Sequence, residues 1–118
     1  MITQLRGSFG EKEACRYLKE NNYIILERNY RKRFGEIDII AKKDNLIAFV
    51  EVKTRSCEEF GKPSEAVNYA KRQRIIKTAL SYIAEKDLDA EFSFDIIEVL
   101  INNKKVLSLN HIENAFYA

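Results

Sequence analysis

Two apolar runs, Ile37 to Ala41 and Leu46 to Val52, flank the polar stretch Lys42-Lys43-Asp44-Asn45, and they constrain the fold more than any other feature of the chain. Asp and Asn tolerate the positive φ of a tight turn, so the spacing predicts a β-hairpin. With Asp44 and Asn45 as the loop, Lys43 pairs with Leu46, Asp38 with Glu51 and Glu36 with Lys53, which gathers four charges on one face. A four-residue loop keeps that register, whereas a three-residue loop slips it by one and sends the two acids to opposite faces.

In the first register one face carries Ile37, Ile39, Ala41, Ala48, Val50 and Val52, a core face without a charge. The other presents Ile40, Ile47 and Phe49 near the turn and Glu36, Asp38, Glu51 and Lys53 farther away. Unpaired charge among such neighbours is costly, which points to chemistry at the edge of a covered face. Opposed residues have Cβ atoms about 4.5–5.5 Å apart, within reach of one small cation. Two like charges roughly 4 Å apart cost about 4 kcal/mol at an effective dielectric of 20, enough to raise a pKa or recruit a metal. Oxygen-only ligands favour Mg²⁺ or Mn²⁺ over zinc. A bare Glu-x-Lys more often belongs to a solvated salt-bridge patch; the hairpin context favours the metal site.

At 118 residues the chain has the size of one domain, and a single nuclease-like domain over 1–118 is expected. Twenty basic residues against eighteen acidic ones leave a formal charge of +2, so attraction for a polyanion must come from clustering. Arg28, Arg31, Lys32 and Arg33 precede the acidic strand, and Lys71, Arg72, Arg74 and Lys77 follow in a helical stretch, with Tyr30 and Tyr69 as stacking surfaces. Cys15 and Cys57 form no Cys-x-x-Cys pair and His111 is the lone histidine, which excludes zinc-finger chemistry and leaves both thiols inert. His111 is read as structural. The N-terminus lacks the apolar core of a signal peptide and no apolar run approaches membrane-spanning length, so a cytoplasmic protein with no membrane partner is expected.

Ser8-Phe9-Gly10-Glu11 fits a capping box opening a helix to about Asn21, with Glu11, Ala14, Cys15 and Leu18 on its inner stripe. Glu11 is then either a cap residue or a site acid. A start near Thr3 would weaken the cap reading. Tyr23 to Asn29 reads as a strand feeding the basic run. After Lys53 a polar loop, Thr54 to Lys62, leads past Gly61 and Pro63 to a helix over about Ser64 to Glu85 with the stripe Ile76, Ala79, Leu80 and Ile83. That stripe leaves Lys71, Arg72, Arg74 and Lys77 largely on other faces. Strands follow at about Glu91 to Leu100 and Val106 to Leu109, with Ile112 to Phe116 as a helical or extended tail. The order α-β-β-β-α-β-β predicts an α/β sandwich: an antiparallel meander, then a crossover to a parallel strand, in a mixed sheet flanked by helices. Asp95, an acid within an apolar strand, is a structural hydrogen-bonding group or a site residue.

These features resemble the YraN family of small bacterial proteins, predicted endonucleases related to archaeal Holliday junction resolvases. The resemblance covers most of the chain. It rests on Gly10-Glu11 followed by Ala14 and Leu18, Arg28-Asn29, Gly35-Glu36-Ile37-Asp38, Phe49-Val50-Glu51-Val52-Lys53-Thr54-Arg55, Gly61, Pro63, Ala66-Val67, Lys71, Phe94-Asp95 and Ile112-Glu113-Asn114-Ala115-Phe116.

The resemblance implies a restriction-endonuclease-like fold with a PD-(D/E)XK site and a Mg²⁺- or Mn²⁺-dependent endonuclease acting on nucleic acid, DNA foremost, with branched DNA as one candidate substrate. By that motif Asp38 and Glu51 bind the metal, the Val52 carbonyl adds a ligand, and Lys53 activates or positions the attacking water. Glu11 matches the first-helix acid of resolvase relatives. One departure is that the generic Pro-Asp reads Ile37-Asp38 here. Gln73 is a weaker counterpart than Lys71 of the helix glutamine or lysine found in some relatives. Arg31, Lys32, Arg33, Arg55, Lys71 and Arg74 are candidate nucleic-acid contacts, the role of Glu36 stays open, and a homodimer stays an open alternative, since resolvase relatives act as dimers on a two-fold junction. The alternative is a nucleic-acid-binding module with weak, lost or partner-dependent cleavage; a third reading is a protein-interaction scaffold with a vestigial acidic patch.

Overall fold

Asp44 takes φ 52° in the turn, and Lys43 pairs with Leu46 across it, so the tight hairpin forms in the expected register. The structure, a computed structural model, describes the backbone at residues 3–56, 67–103 and 105–118, with side chains from residue 8 onward. Its elements are α1 (Thr3–Glu20), β1 (Ile24–Lys32), β2 (Gly35–Lys43), β3 (Leu46–Ser56), α2 (Tyr69–Lys86), β4 (Glu91–Asn102) and β5 (Lys105–Phe116). The five strands form one sheet in sequence order. β1, β2 and β3 make the antiparallel meander, β3 and β4 run parallel with α2 between them in the chain, and β5 returns antiparallel to β4. This mixed sheet with two helices is consistent with a restriction-endonuclease-like α/β fold.

Each helix packs against its own hydrophobic cluster. Ala14, Cys15 and Leu18 of α1 pack with Ile39, Ala41, Ala48, Val50, Ile97 and Val99. Ile75, Ile76, Ala79 and Tyr82 of α2 pack with Ile37, Ile40, Ile47, Phe49 and Phe94. Ile37 therefore lies with Ile40, not with Ile39 as strict alternation required. The pleat breaks at Asp38. The β1–β2 ladder pairs Arg28 with Ile39 and Tyr30 with Ile37, stepping over Asp38 and Asn29, whose φ is 52°.

Several sequence-derived boundaries move. α1 begins at Thr3, so Ser8 is an exposed residue inside the helix and no capping box exists. β3 continues through Ser56 because β4 supplies parallel partners as far as Ser56–Ile101, and the expected loop shortens accordingly. The remainder of that loop, Cys57, Gly61, Pro63 and the expected start of the second helix at Ser64 lie outside the described residues. α2 starts at Tyr69, where Asn68 Oδ1 accepts the Lys71 amide at 2.8 Å as an N-cap. The C-terminal segment takes the extended form, continuing β5 to Phe116.

The buried stripe of α2 also differs. Ile76 and Ala79 are buried and Ile83 packs on the cluster as expected, but Leu80 is 57% exposed, and Ile75, Thr78 and Tyr82 join Ala79 at i, i+3, i+4, i+7 spacing. Thr78 hides this pattern in the sequence. Its hydroxyl is satisfied by donating to the Arg74 carbonyl at 2.7 Å, which lets a polar residue occupy a core position.

Candidate metal and phosphate site

Where β2 parts from β3, the ladder stops at Ile39–Val50, one rung short of the expected Asp38–Glu51 pair. The Val52 amide instead donates to Asp38 Oδ2 at 2.8 Å, so a carboxylate takes the place of the next backbone partner. Glu36 does not oppose Lys53: it pairs with Arg31 on β1, their side chains 3.2 Å apart.

Asp38 and Glu51 nevertheless meet in one pocket of about 230 Å³, lined by Gly35, Glu36, Asp38, Glu51, Lys71, Arg74 and Ile75. Glu51 is buried at 8% exposure and Asp38 is half-buried. Burial, then the Glu51 charge, push the Asp38 carboxyl up to about 8, against the lowering effect of the Val52 amide. Glu11, half-buried on α1, stands 3.9 Å from Arg28 Nη2. Burial raises its pKa, hydrogen bonding to Asn29 and the Arg28 charge oppose this, and the charges of Glu36 and Glu51 add to the rise.

Two glycines set this geometry. A Cβ on Gly10 would lie 1.8 Å from Thr54 Oγ1, so α1 approaches β3 there with no room for a side chain, and the next residue is Glu11. A Cβ on Gly35 would lie 2.6 Å from Thr78 Oγ1 and 2.9 Å from the Arg74 carbonyl. That contact seats the first turns of α2 on the start of β2.

The seat of α2 carries Lys71 into the pocket, although the sequence reading placed it on another face. Lys71, Ile75, Thr78 and Tyr82 share one stripe, and Lys71 Nζ lies 2.6 Å from Glu51 Oε1. Burial disfavours its ammonium, but the hydrogen bond and charge of Glu51, with the charge of Asp38, leave the pKa raised. Recognising Thr78 as a core position would have revealed this. Gln73 is exposed and does not line the pocket.

Lys53 is half-buried, two residues beyond Glu51, and adjoins Lys71 without lining the pocket. Arg74 is at the pocket, and Arg31 reaches its edge through Glu36. Lys32 is drawn to Glu85 of α2, which also accepts the Tyr30 hydroxyl. Arg33 is exposed in the β1–β2 turn, and Arg55 is half-buried farther along β3.

Asp95 lies elsewhere, 1% exposed, with Oδ2 2.8 Å from His111 Nε2 and Oδ1 accepting the Asn114 amide at 3.1 Å. His111 Nδ1 lies 3.0 Å from the Tyr17 hydroxyl, so these groups tie α1, β4 and β5 together. Asp95 and His111 thus form a structural network. Cys15 is a buried thiol whose pKa burial raises. Among the described residues no group of three or more His, Cys, Asp or Glu side chains is arranged to hold a metal, and no helix is long and apolar enough to cross a membrane.

Comparison with known proteins places the whole site inside one family. A family model described as "Uncharacterised protein family UPF0102" matches residues 10–99, which contain Glu11, Asp38, Glu51, Lys53 and Lys71. A UPF0102 protein of Clostridium botulinum strain 657 is 51% identical over 113 residues, spanning 93% of this chain and 92% of its own length. One from Clostridium acetobutylicum is 51% identical over 117 residues, spanning 98% and 96%. One from Alkaliphilus metalliredigens is 48% identical over 111 residues, spanning 93% and 96%. By the extent of these matches, the chain belongs to the UPF0102 family, the YraN-like group that its motifs resemble.

Proposed function

We propose that the protein is a metal-dependent endonuclease that hydrolyses phosphodiester bonds in nucleic acid, DNA foremost, with branched DNA as one candidate substrate. One observation carries this reading: two carboxylates from adjoining strands, Asp38 and Glu51, face one pocket beside Lys71 and Arg74. The donors fit Mg²⁺ or Mn²⁺. They are all oxygen, they repel one another as anions, and Mg²⁺ characteristically uses one or two carboxylates, keeping waters and substrate phosphate for its other positions. Protein ligation by two acids is therefore sufficient without a third.

Asp38 and Glu51 would hold the ion, with the Val52 carbonyl as an added ligand. When bound, the ion supplies Lewis-acid stabilisation and lowers the cost of forming hydroxide near neutral pH. The Val52 amide orients Asp38. Lys53, which adjoins Lys71 outside the pocket lining, would offset charge developing on the phosphoryl oxygens, and Glu11 would support the acidic cluster from α1. Arg74 and Arg31, with Arg33, Arg55 and Lys32 farther out, attract the phosphate backbone without reading bases.

The test is cleavage of branched, flapped and linear DNA in Mg²⁺ or Mn²⁺, with an Asp38→Asn preparation run in parallel. Cleavage by the wild type alone is expected. Equal cleavage by both preparations would assign the activity to a contaminant. Salt-sensitive DNA binding without cleavage by either would favour the binding-module reading instead.

A further inference from the structure

We propose that Lys71 is a tethered counter-cation of the candidate metal ligands: its ammonium neutralises Glu51 in the metal-free protein and competes with a divalent ion for that carboxylate. The inference rests on the reading of Asp38 and Glu51 as metal ligands, and concerns what occupies Glu51 before the ion arrives.

Lys71 Nζ is 2.6 Å from Glu51 Oε1, a charge-assisted contact to a side chain only 9% exposed. A buried carboxylate beside a second acid needs a positive partner, and Lys71 provides one within the pocket. Its position is built. Asn68 Oδ1 holds the Lys71 amide at 2.8 Å, which fixes the residue in the first turn of α2, and Gly35 admits that turn close to β2. The Lys71 side chain is 37% exposed, so four flexible methylenes can carry the ammonium off Glu51 into solvent. An ion pair serving only to staple α2 to β3 has no need of the adjacent Asp38. Here the ammonium instead takes an oxygen that the ion would require.

The test is Mn²⁺ binding to the metal-free protein, read from the free Mn²⁺ electron paramagnetic resonance signal, for wild type, Lys71→Met, Lys71→Gln and Arg74→Met. Removing the competitor should tighten Mn²⁺ binding about tenfold in both Lys71 variants, a fold-change equivalent to about 1.4 kcal/mol. Arg74→Met removes a neighbouring charge from the same pocket and should change binding by less than about threefold. A merely structural ion pair predicts the reverse, because loosening α2 would weaken the site. In the wild type, saturating Mg²⁺ should also move the Lys71 ε-carbon NMR signal, assigned through bonds in the wild-type spectrum, which keeps the test independent of variant folding.

Wild-type binding with unchanged or weaker binding in both Lys71 variants would overturn the competition and leave the metal site standing. Equal tightening in Arg74→Met would also overturn it, reducing the effect to general charge. A Lys71 signal unmoved by saturating Mg²⁺ would do the same. No Mn²⁺ binding by any of the proteins would overturn both this inference and the metal-dependent reading beneath it.

Discussion

The Val52 amide donates to Asp38 Oδ2 at 2.8 Å at the point where the β2–β3 ladder ends. One side chain thereby finishes a backbone ladder and presents a carboxylate to the pocket. The bond favours the ionised acid, but burial and the Glu51 charge outweigh it.

This imbalance sets a pH dependence. Asp38 is raised from 3.8 to about 8, so between those values the folded protein holds a proton that the unfolded chain releases. Stability from Asp38 is complete below the unfolded value and is lost as pH rises through about 8. Glu11 is shifted in the same direction. Melting of chelator-treated protein should therefore fall from about pH 5 to about pH 8. Asp38→Asn should flatten that fall and melt a few degrees (about 4–8 °C per kcal/mol) above the wild type at the alkaline end, since the side-chain amide oxygen still accepts from Val52. Identical slopes for the two proteins would contradict the assignment.

Gly35→Ala should destabilise the protein by about 1–3 kcal/mol in urea unfolding, because the new methyl meets the Arg74 carbonyl as well as Thr78. Adding Thr78→Ala should recover only part of the loss. The hydroxyl conflict disappears, but a backbone carbonyl at 2.9 Å cannot be trimmed. A Gly35→Ala protein as stable as wild type would show that α2 is not seated by this contact.

His111→Ala should cost about 3–5 kcal/mol, since it strips the imidazole from an Asp95 that is 1% exposed. Tyr17→Phe removes only the outer hydrogen bond and should cost about 1 kcal/mol. Neither should alter Mn²⁺ affinity at temperatures where the variant is folded. Unchanged melting with abolished Mn²⁺ binding in His111→Ala would move the network from scaffold to site.

Much of this was legible in the sequence because it is local. Asp44 and Asn45 dictate a tight turn, a tight turn dictates register, and a two-residue period distributes side chains between faces. From these came the Lys43–Leu46 pairing and the convergence of Asp38 and Glu51, while the order of helices and strands gave the parallel strand after the second helix. Asn103, between β4 and β5, likewise takes a positive φ of 48° that Asn tolerates.

Contacts distant in sequence decided the rest. Ile37 changed faces because the pleat breaks beside Asn29, which belongs to another strand. Lys71 reached Glu51 because Gly35 admits the backbone of α2 and Thr78 satisfies its own hydroxyl, which widens the buried face beyond Ile76 and Ala79 to Ile75, Thr78 and Tyr82 and leaves Leu80 exposed. Tyr17, His111 and Asp95 come from three elements that meet only after the sheet has formed. Sequence periodicity specifies which faces of each element are apolar; how two elements rotate against one another depends on steric fit between residues far apart in the chain, and that fit appears only when they are packed.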